Sequence, residues 1–529
     1  MKNKFLKYLI FVVFVFLFYY FTLFPLNIHS SQFWFSTFII ILFYFILSKV
    51  YNSINIIELF VNKKPIGNLD FSKLEKFIFK GLLVVFFSII LINIINSPIF
   101  MSKKYYERII VNKETDFTKD IPELDYNQLP VIDKESSKRL GDRVMGRLPD
   151  LVSQFRVSDL YTQINYNNEI IRVTPLEYND FFKFLANKKN GTAGYIKVNS
   201  VTGDSELVRL EEGMKYMDSA ILNKNLNRKL RFDYPTKIFT DKTFEVNDEG
   251  TPYWIIPTIK YVGIGLRPDV EGVIIFNPIN GESNFHLVKD VPEWVDNVYP
   301  SWLVLEQVNN WGEYVNGFIN SIFSQKNVVV TTRGYNYTVY NNDVYLYTGI
   351  TSVVSDESNI GFIMTNLRTK ETNFYEVPGA EEYSAMESAQ GQVQQMRYIS
   401  TFPLLVNLNN KPTYFVSLKD NAGLVKMYAF IDVENYQKVV VTNSSEGIEK
   451  AIENYIGNDM KKEYLEDTIT IKRIEQAVLD NNTVYYLLSE NDIVYKVKLT
   501  VNEDILPFLN IGDVINIKYN IDEIIEIKK

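Results

Sequence analysis

Four segments after residue 165 share one pattern, and a chain that repeats a short strand-rich unit is constrained to stack copies rather than build one central core. The best-matched stretches are residues 194–199, 272–277, 361–366 and 427–432. Three begin with Gly194, Gly272 and Gly361, and the fourth begins with Met427. They end on Asn199, Asn277, Asn366 and Asp432. Five residues later a polar residue recurs (Asp204, Glu282, Glu371, Gln437), and three beyond it the chain is apolar again (Leu207, Phe285, Phe374, Val440). The order predicted is strand, polar loop, strand. A second turn signal precedes each copy: Asn167-Asn168, Asp248-Glu249-Gly250, Asn341-Asn342-Asp343 and Asn409-Asn410.

The first hundred residues have another character. Apolar runs at 8–28, 33–50 and 81–101 are each long enough to cross a bilayer. The first ends in Phe24-Pro25-Leu26 rather than in small residues, so it reads as a retained anchor and not a cleaved signal. Lys2, Lys4 and Lys7 precede it, and Lys49, Lys63, Lys64, Lys73, Lys76 and Lys80 flank the second connection. The positive-inside rule then predicts a cytoplasmic N-terminus and an extracytoplasmic 102–529. The runs hold no charged residue in their interiors, which weakens a transport role.

Charge is split between the halves. Residues 1–101 carry nine Lys/Arg against three Asp/Glu, whereas the remaining 428 carry 46 against 60. An acidic ectodomain is a poor nucleic-acid binder. The chain has no cysteine, which removes disulfides, thiolate-bound metals and thiol nucleophiles, and a cysteine-free extracytoplasmic protein points to a bacterial envelope.

Four parts are expected: a three-helix membrane anchor (1–101), a stalk with an amphipathic helix (102–165), four tandem α+β repeats (166–465) and a small β barrel (466–529). In the second part Asp133 caps a helix whose apolar stripe is Leu140, Val144 and Leu148, read as packing on the first repeat. Later helices are marked by Met386, Ala389, Val393 and Met396, and by Ile448, Ala451, Ile452, Tyr455 and Ile456. The stretch 273–276 is apolar on both strand faces, so one face should meet a helix and the other a neighbouring strand or repeat. Strand-like runs at 468–474, 484–488, 493–499, 514–519 and 524–527 suggest an OB-like or SH3-like barrel.

The hairpin turns at Val198-Asn199 to Gly203-Asp204 and at Phe276-Asn277 to Gly281-Glu282, with looser versions at 367–371 and 433–437, resemble the hairpin of PepSY-type domains. The resemblance covers about twenty residues per copy. It implies two strands packed on a helix, and binding or inhibition at the envelope rather than catalysis.

Catalytic candidates are few. His29 and His286 are the only histidines, one at a membrane edge and one in a predicted strand, and no nucleophile elbow is present. Glu381, Glu382 and Glu387 cluster where a helix should begin, read chiefly as dipole partners and alternatively as acid/base groups. The Asn247-to-Gly250 turn has oxygen ligands but lacks a full calcium loop. No cofactor or metal is expected.

The aromatics are denser than anything else. Tyr253, Trp254, Trp294, Tyr299, Trp302 and Trp311 fall in and after the second copy. They either fill the core between repeats or form a ligand-binding stripe for glycan or peptide. The expected function is a membrane-anchored binding, scaffold or inhibitory protein of the envelope, with the lipid bilayer and an envelope protein, peptide or glycan as partners. The alternatives are a carboxylate-based envelope glycan hydrolase and, behind it, a transport component.

Overall fold

Asparagine and glycine set where the strands of this chain stop. The computed structural model describes residues 2–52, 73–353, 358–460, 465–479, 482–520 and 523–529. In every copy one side chain closes the hairpin loop. Asn199 Oδ1 accepts from the amides of Val201 and Thr202, Asn277 Oδ1 from Ile279 and Asn280, Asn366 Oδ1 from Arg368 and Thr369, and Asp432 Oδ1 from Glu434 and Asn435. The fifth residue of the loop is left-handed: Gly203, Gly281 and, in the third copy, Lys370 with φ 68°. The loop closes when Asn199, Asn277 and Asn366 donate their amides to Asp204, Glu282 and Glu371 carbonyls; Asp432 reaches one residue further, to Lys438.

The copies build the following elements. Helices are α1 (Lys2–Thr22), α2 (Ser31–Asn52), α3 (Lys73–Asn96), α4 (Pro98–Tyr106), α5 (Lys134–Gly146), α6 (Leu226–Asp233), α7 (Ser301–Glu313), α8 (Phe318–Ile322), α9 (Glu382–Gln392) and α10 (Ile448–Met460). Strand β1 is Val111–Asn112. The first copy holds β2 (Phe155–Val157), β3 (Thr162–Tyr166), β4 (Glu169–Tyr178), β5 (Thr192–Asn199) and β6 (Ser205–Met214). The second holds β7 (Ile238–Phe239), β8 (Thr243–Val246), β9 (Pro252–Val262), β10 (Leu266–Phe276) and β11 (Ser283–Leu287). The third holds β12 (Val329–Thr331), β13 (Asn336–Tyr340), β14 (Asp343–Ser352), β15 (Ser358–Asn366), β16 (Thr372–Tyr375) and β17 (Gly379–Ala380). The fourth opens with β18 (Ile399–Ser400), β19 (Leu404–Leu408) and β20 (Lys411–Lys419).

Strand order repeats with the sequence. The first sheet runs β2-β4-β5-β6 with β3 on β4, the second β7-β9-β10-β11 with β8 on β9, and the third β12-β14-β15-β16 with β13 on β14. In the fourth copy β18 and β19 both pair antiparallel with β20. The glycines that open the first three repeat cores do one job. A β-carbon on Gly194, Gly272 or Gly361 would lie 1.9, 2.2 or 2.3 Å from the carbonyl oxygen of Val208, His286 or Tyr375 on the next strand. Only glycine lets the two backbones approach that closely.

Burial on both faces of the sheets follows from stacking. Along β10, Ile274 and Phe276 enter one core with Leu226 and Leu230 of α6 and Ile196 and Val198 of β5. Val273 and Ile275 enter the other with Leu303, Val304 and Val308 of α7 and Leu346 and Ile363 of the third sheet. Helices α6 and α7 are therefore each shared by two successive sheets. Full burial of side chains such as Phe276 and Ile274 stabilises this stack by about 1.5–3 kcal/mol each. Helix α5 is capped by Asp133, which accepts from the Ser136 amide at 2.9 Å, and Leu140, Val144 and Leu148 pack on the first core. The α9 stripe is shifted from the expected one. Its buried side is Glu382, Ala385 and Ala389 with Val393 just beyond, Met386 is half-buried, and Met396 is exposed.

The segment expected to be a stalk is bound along the sheets. β1 pairs parallel with β16, the Leu124 amide donates to the Asn407 carbonyl at 2.8 Å, and Ser417 Oγ donates to the Val131 carbonyl at 2.8 Å. Residues 111–131 thus form a strap over the third and fourth copies. Part of its backbone is paired with strand edges while much of its surface stays exposed, and its prolines, Pro122 and Pro130, have no amide to pair.

Three helices, α1 to α3, are long and apolar enough to cross a membrane. Their bounds differ from the apolar runs. The first helix stops at Thr22, before Leu23 (φ 51°) and Pro25; the third begins at Lys73 and ends before Pro98. Charged side chains accordingly fall inside the helix ends: Lys7 Nζ donates to Ser48 Oγ at 2.8 Å and Lys49 lies 3.6 Å from Glu75. Lys63 and Lys64 lie outside the described residues. At the other end the turn after β9 docks on the helices. His29 Nδ1 lies 2.6 Å from the Gly263 carbonyl, Asn93 exchanges two hydrogen bonds with Ile264, Arg267 donates to Asn96 Oδ1, and Arg231 donates to the Leu23 carbonyl.

The chain divides into two compact units, Met1–Lys426 with Ile431–Val439, and Met427–Phe430 with Val440–Lys529. The sequence placed a boundary at 466, whereas the contacts divide the fourth copy itself. In the second unit α10 buries Ala451 and Tyr455, and the Phe430 ring lies 5.7 Å from Tyr455. Strands β21 (Val425–Asp432) and β22 (Val439–Asn443) straddle the division. The last five strands, β23 (Leu465–Leu479), β24 (Asn482–Ser489), β25 (Val494–Lys498), β26 (Val514–Asn520) and β27 (Glu523–Lys528), close a barrel in the order β23-β24-β25-β27-β26. Its core contains Ile469, Leu487, Tyr495, Val497, Ile515 and Ile524.

Candidate functional site

The hairpin turns that begin the first, third and fourth copies use paired asparagines with positive φ: Asn167 and Asn168, Asn341 and Asn342, Asn409 and Asn410. Such doublets suit the tight turn that matches strand twist. Segments 165–170, 338–342 and 404–407 converge beneath the strap, where 121–125 and 128–130 cover them and leave a cavity of about 270 Å³. Its walls are apolar at Ile121, Leu124, Ile170, Val339, Met364 and Leu405, and amide-bearing at Asn165, Asn168, Asn342, Asn407 and Gln128.

The polar groups of this cleft are held from several directions. The Glu123 carboxylate accepts from the Asn409 and Asn410 amides, Asp125 caps a turn through the Asn127 amide, and Asn165 Nδ2 donates to the Asn342 carbonyl at 3.1 Å. Asn407 is 2% exposed, and its Nδ2 donates to the Ile121 carbonyl at 2.7 Å. That bond fixes the amide, and Asn407 Oδ1 is left without a hydrogen-bond partner among the described residues. This oxygen is out of reach of water, so its missing bond is a cost of about 1–3 kcal/mol in holding the strap and not a contact offered to a ligand. Among the described residues, no lysine or arginine lines the cleft.

Behind it lies a sealed acidic junction. Glu245 accepts from Thr243 Oγ1 (2.8 Å) and from the amides of Asp296 (2.9 Å) and Asn297 (3.2 Å); Asp296 Oδ2 accepts from the Asn165 amide (2.7 Å). Burial raises both carboxyls, Asp296 well above the ordinary range, and the Glu245 charge and Asp343 push Asp296 further while Arg368 opposes. Asp343 stays paired, taking both arms of Arg368 at 2.8 and 2.7 Å. This junction joins the first three copies and has no path for substrate, since Glu245 and Asp296 are both buried.

The predicted aromatics do not form one surface. Trp254 is 1% exposed in the first core and donates to the Tyr216 carbonyl, whereas Tyr253 faces the opposite side of β9 and stacks on Trp294 with ring centres 5.1 Å apart. Tyr299 is buried, and Trp302 is half-buried with its indole N–H on Thr240 Oγ1. Trp311 is buried too but borders a second cavity of about 520 Å³, with Lys113 over its ring and Phe374 beside it. Core-filling accounts for most of the six.

Glu382 opens α9, at the helix start where the sequence put it, and is buried there; it accepts from the Gly349 amide at 2.8 Å, and burial raises its carboxyl. Glu387 remains exposed. His286 sits in β11 opposite Val273, and Asn247 closes its own turn by accepting from the Thr251 amide at 2.8 Å. The sequence carried one signal for the cleft, the asparagine doublets, but their convergence depends on pairing across hundreds of residues. No family model matches this chain, and no curated protein matches it.

Proposed function

We propose that this chain is a membrane-anchored binding or scaffold protein of a bacterial cell envelope, without catalytic activity, whose recognition site is the strapped cleft. The observation that carries the reading is the amide-lined cavity under the strap, which also holds the Glu123 and Asp125 carboxylates and, among the described residues, no lysine or arginine. Such walls suit a donor-bearing segment, a peptide before a glycan. The copies are read as PepSY-like units, and the barrel as OB-like, because the parallel β25–β27 pair in the order 1-2-3-5-4 supports that type over an SH3-like one. The lysine pattern supports a cytoplasmic N-terminus. The docking of the α1–α2 turn and the α3 end on the same repeat is consistent with an extracytoplasmic 102–529.

The glycan-hydrolase alternative fits less well. A general acid needs a raised carboxyl in an open cleft, yet Glu245, Asp296 and Glu382 are sealed, and Glu313, half-buried and raised by that burial, is held by a hydrogen bond with Tyr314. In the open, charged cleft between Arg156 and Lys242, Glu177 is bound by Arg156 and Ser158, and Asp218 pairs with Lys242 at 2.9 Å. The test places a photo-crosslinking residue at Gln128 or Thr338 in intact cells, with Glu490 of the barrel as control. One shared envelope adduct at both cleft positions and none at the control is expected. Identical patterns at all three would refute the site, and release of soluble wall fragments by the purified protein would favour the hydrolase.

A further inference from the structure

Helix α8 exposes an apolar face that nothing covers among the described residues, next to the point where the third apolar helix ends. Ile319 is 73%, Ile322 52% and Phe323 81% exposed. The segment packs against α4, which starts two residues after α3 stops. A β-carbon on Gly317 would lie 3.8 Å from Ser102 Oγ, and the Tyr314 and Tyr105 rings meet edge-on at 6.0 Å. Tyr105 in turn donates to the carbonyl of Asn96, the last residue of α3. Helix α4 has its own exposed Ile99 and Phe100, and Lys103, Lys104 and Lys326 are exposed around the patch.

We propose that residues 317–323, with Ile99 and Phe100, dip into the lipid–water interface beside α3 as a non-spanning membrane contact. The occupant is the bilayer that α3 itself enters, so the inference rests on the membrane-spanning reading. Three considerations support lipid over a protein partner. The patch is continuous with an apolar helix whose next exposed residues are also apolar; the Tyr105 hydroxyl bond to the Asn96 carbonyl holds α4 at the end of α3; and apolar side chains ringed by lysines suit the headgroup boundary. The contact would fix the tilt of the first three repeats over the membrane, which the docking of Gly263 and Ile264 on His29 and Asn93 fixes at a second place.

Because the chain has no cysteine, single labels report without background. Full-length Phe323→Cys, Leu91→Cys and Asp290→Cys are spin-labelled in phosphatidylcholine–phosphatidylglycerol vesicles, and relaxation by oxygen is compared with relaxation by a water-soluble nickel chelate. At Phe323→Cys the oxygen-to-nickel ratio should exceed that at the exposed Asp290→Cys several-fold and approach that at Leu91→Cys. A Phe323→Cys ratio equal to the Asp290→Cys ratio, with Leu91→Cys in lipid, overturns the inference alone. Protection of Phe323→Cys from both reagents overturns it in favour of a protein contact. A nickel-accessible Leu91→Cys would instead sink the membrane-spanning reading beneath it.

Discussion

Replacing Asp296 with asparagine should change how stability depends on pH more than it changes the fold. Asp296 and Glu245 both hold their protons to higher pH in the folded chain than in the unfolded one, because burial opposes their charges. Between the ordinary carboxylate range and the raised folded value, the unfolded chain therefore binds fewer protons. Stability falls as pH rises through that window, by about 1.4 kcal/mol per pH unit for each proton retained. The side-chain amide that Asp296→Asn introduces keeps an oxygen for the Asn165 amide, 2.7 Å away in the parent, and carries no charge, so the part of this slope that Asp296 contributes should disappear while the Glu245 part remains. The assay is thermal unfolding of full-length protein in detergent at pH 5, 6, 7 and 8, followed by tryptophan fluorescence from the buried Trp254 and Trp311. The variant should gain on the parent steadily with pH. Parallel curves would refute the account, and so would a variant that loses ground as pH rises.

Gly194→Ala should lower stability by about 2–4 kcal/mol, since its β-carbon would stand 1.9 Å from the Val208 carbonyl, whereas Gly146→Ala meets nothing within 4 Å and should gain up to about 0.5 kcal/mol; denaturant titration separates them. Asp133→Ala removes both the cap on Ser136 and the 2.6 Å partner of Lys419, for a loss of about 2–3 kcal/mol. Although burial opposes its charge, hydrogen bonds from Lys419 and Ser136 leave the Asp133 carboxyl below the ordinary range. Its contribution is thus present at neutral pH and lost as pH falls through the folded value, and the parent and Asp133→Ala unfolding curves should converge in acid.

What could be read from the sequence was what local chemistry decides. The loop-closing Asn199, Asn277, Asn366 and Asp432, the Asp133 cap and the two-faced burial of 273–276 each depend on neighbours within a few residues or on side-chain alternation. Partners distant in sequence were not legible. Glu382 was legible as a residue at a helix start, but not its buried bond to Gly349, which is 33 residues earlier. The strap looked like a stalk because its polar backbone gives no hint of the strand edges it binds. The aromatics showed density without direction, and only the alternation along β9 sends Trp254 and Tyr253 to opposite cores.

The strap sets an order on events during synthesis. Glu123 takes its hydrogen bonds from Asn409, 286 residues later in the chain. At about 5–20 residues per second a ribosome needs roughly 15–60 s to make that partner. Through this interval the growing chain is already tethered by its first helices while its strap and the strand edges that will receive it stand open. A chaperone, a lipid surface or a neighbouring nascent copy has that time to engage them, and the finished protein keeps no record of which did.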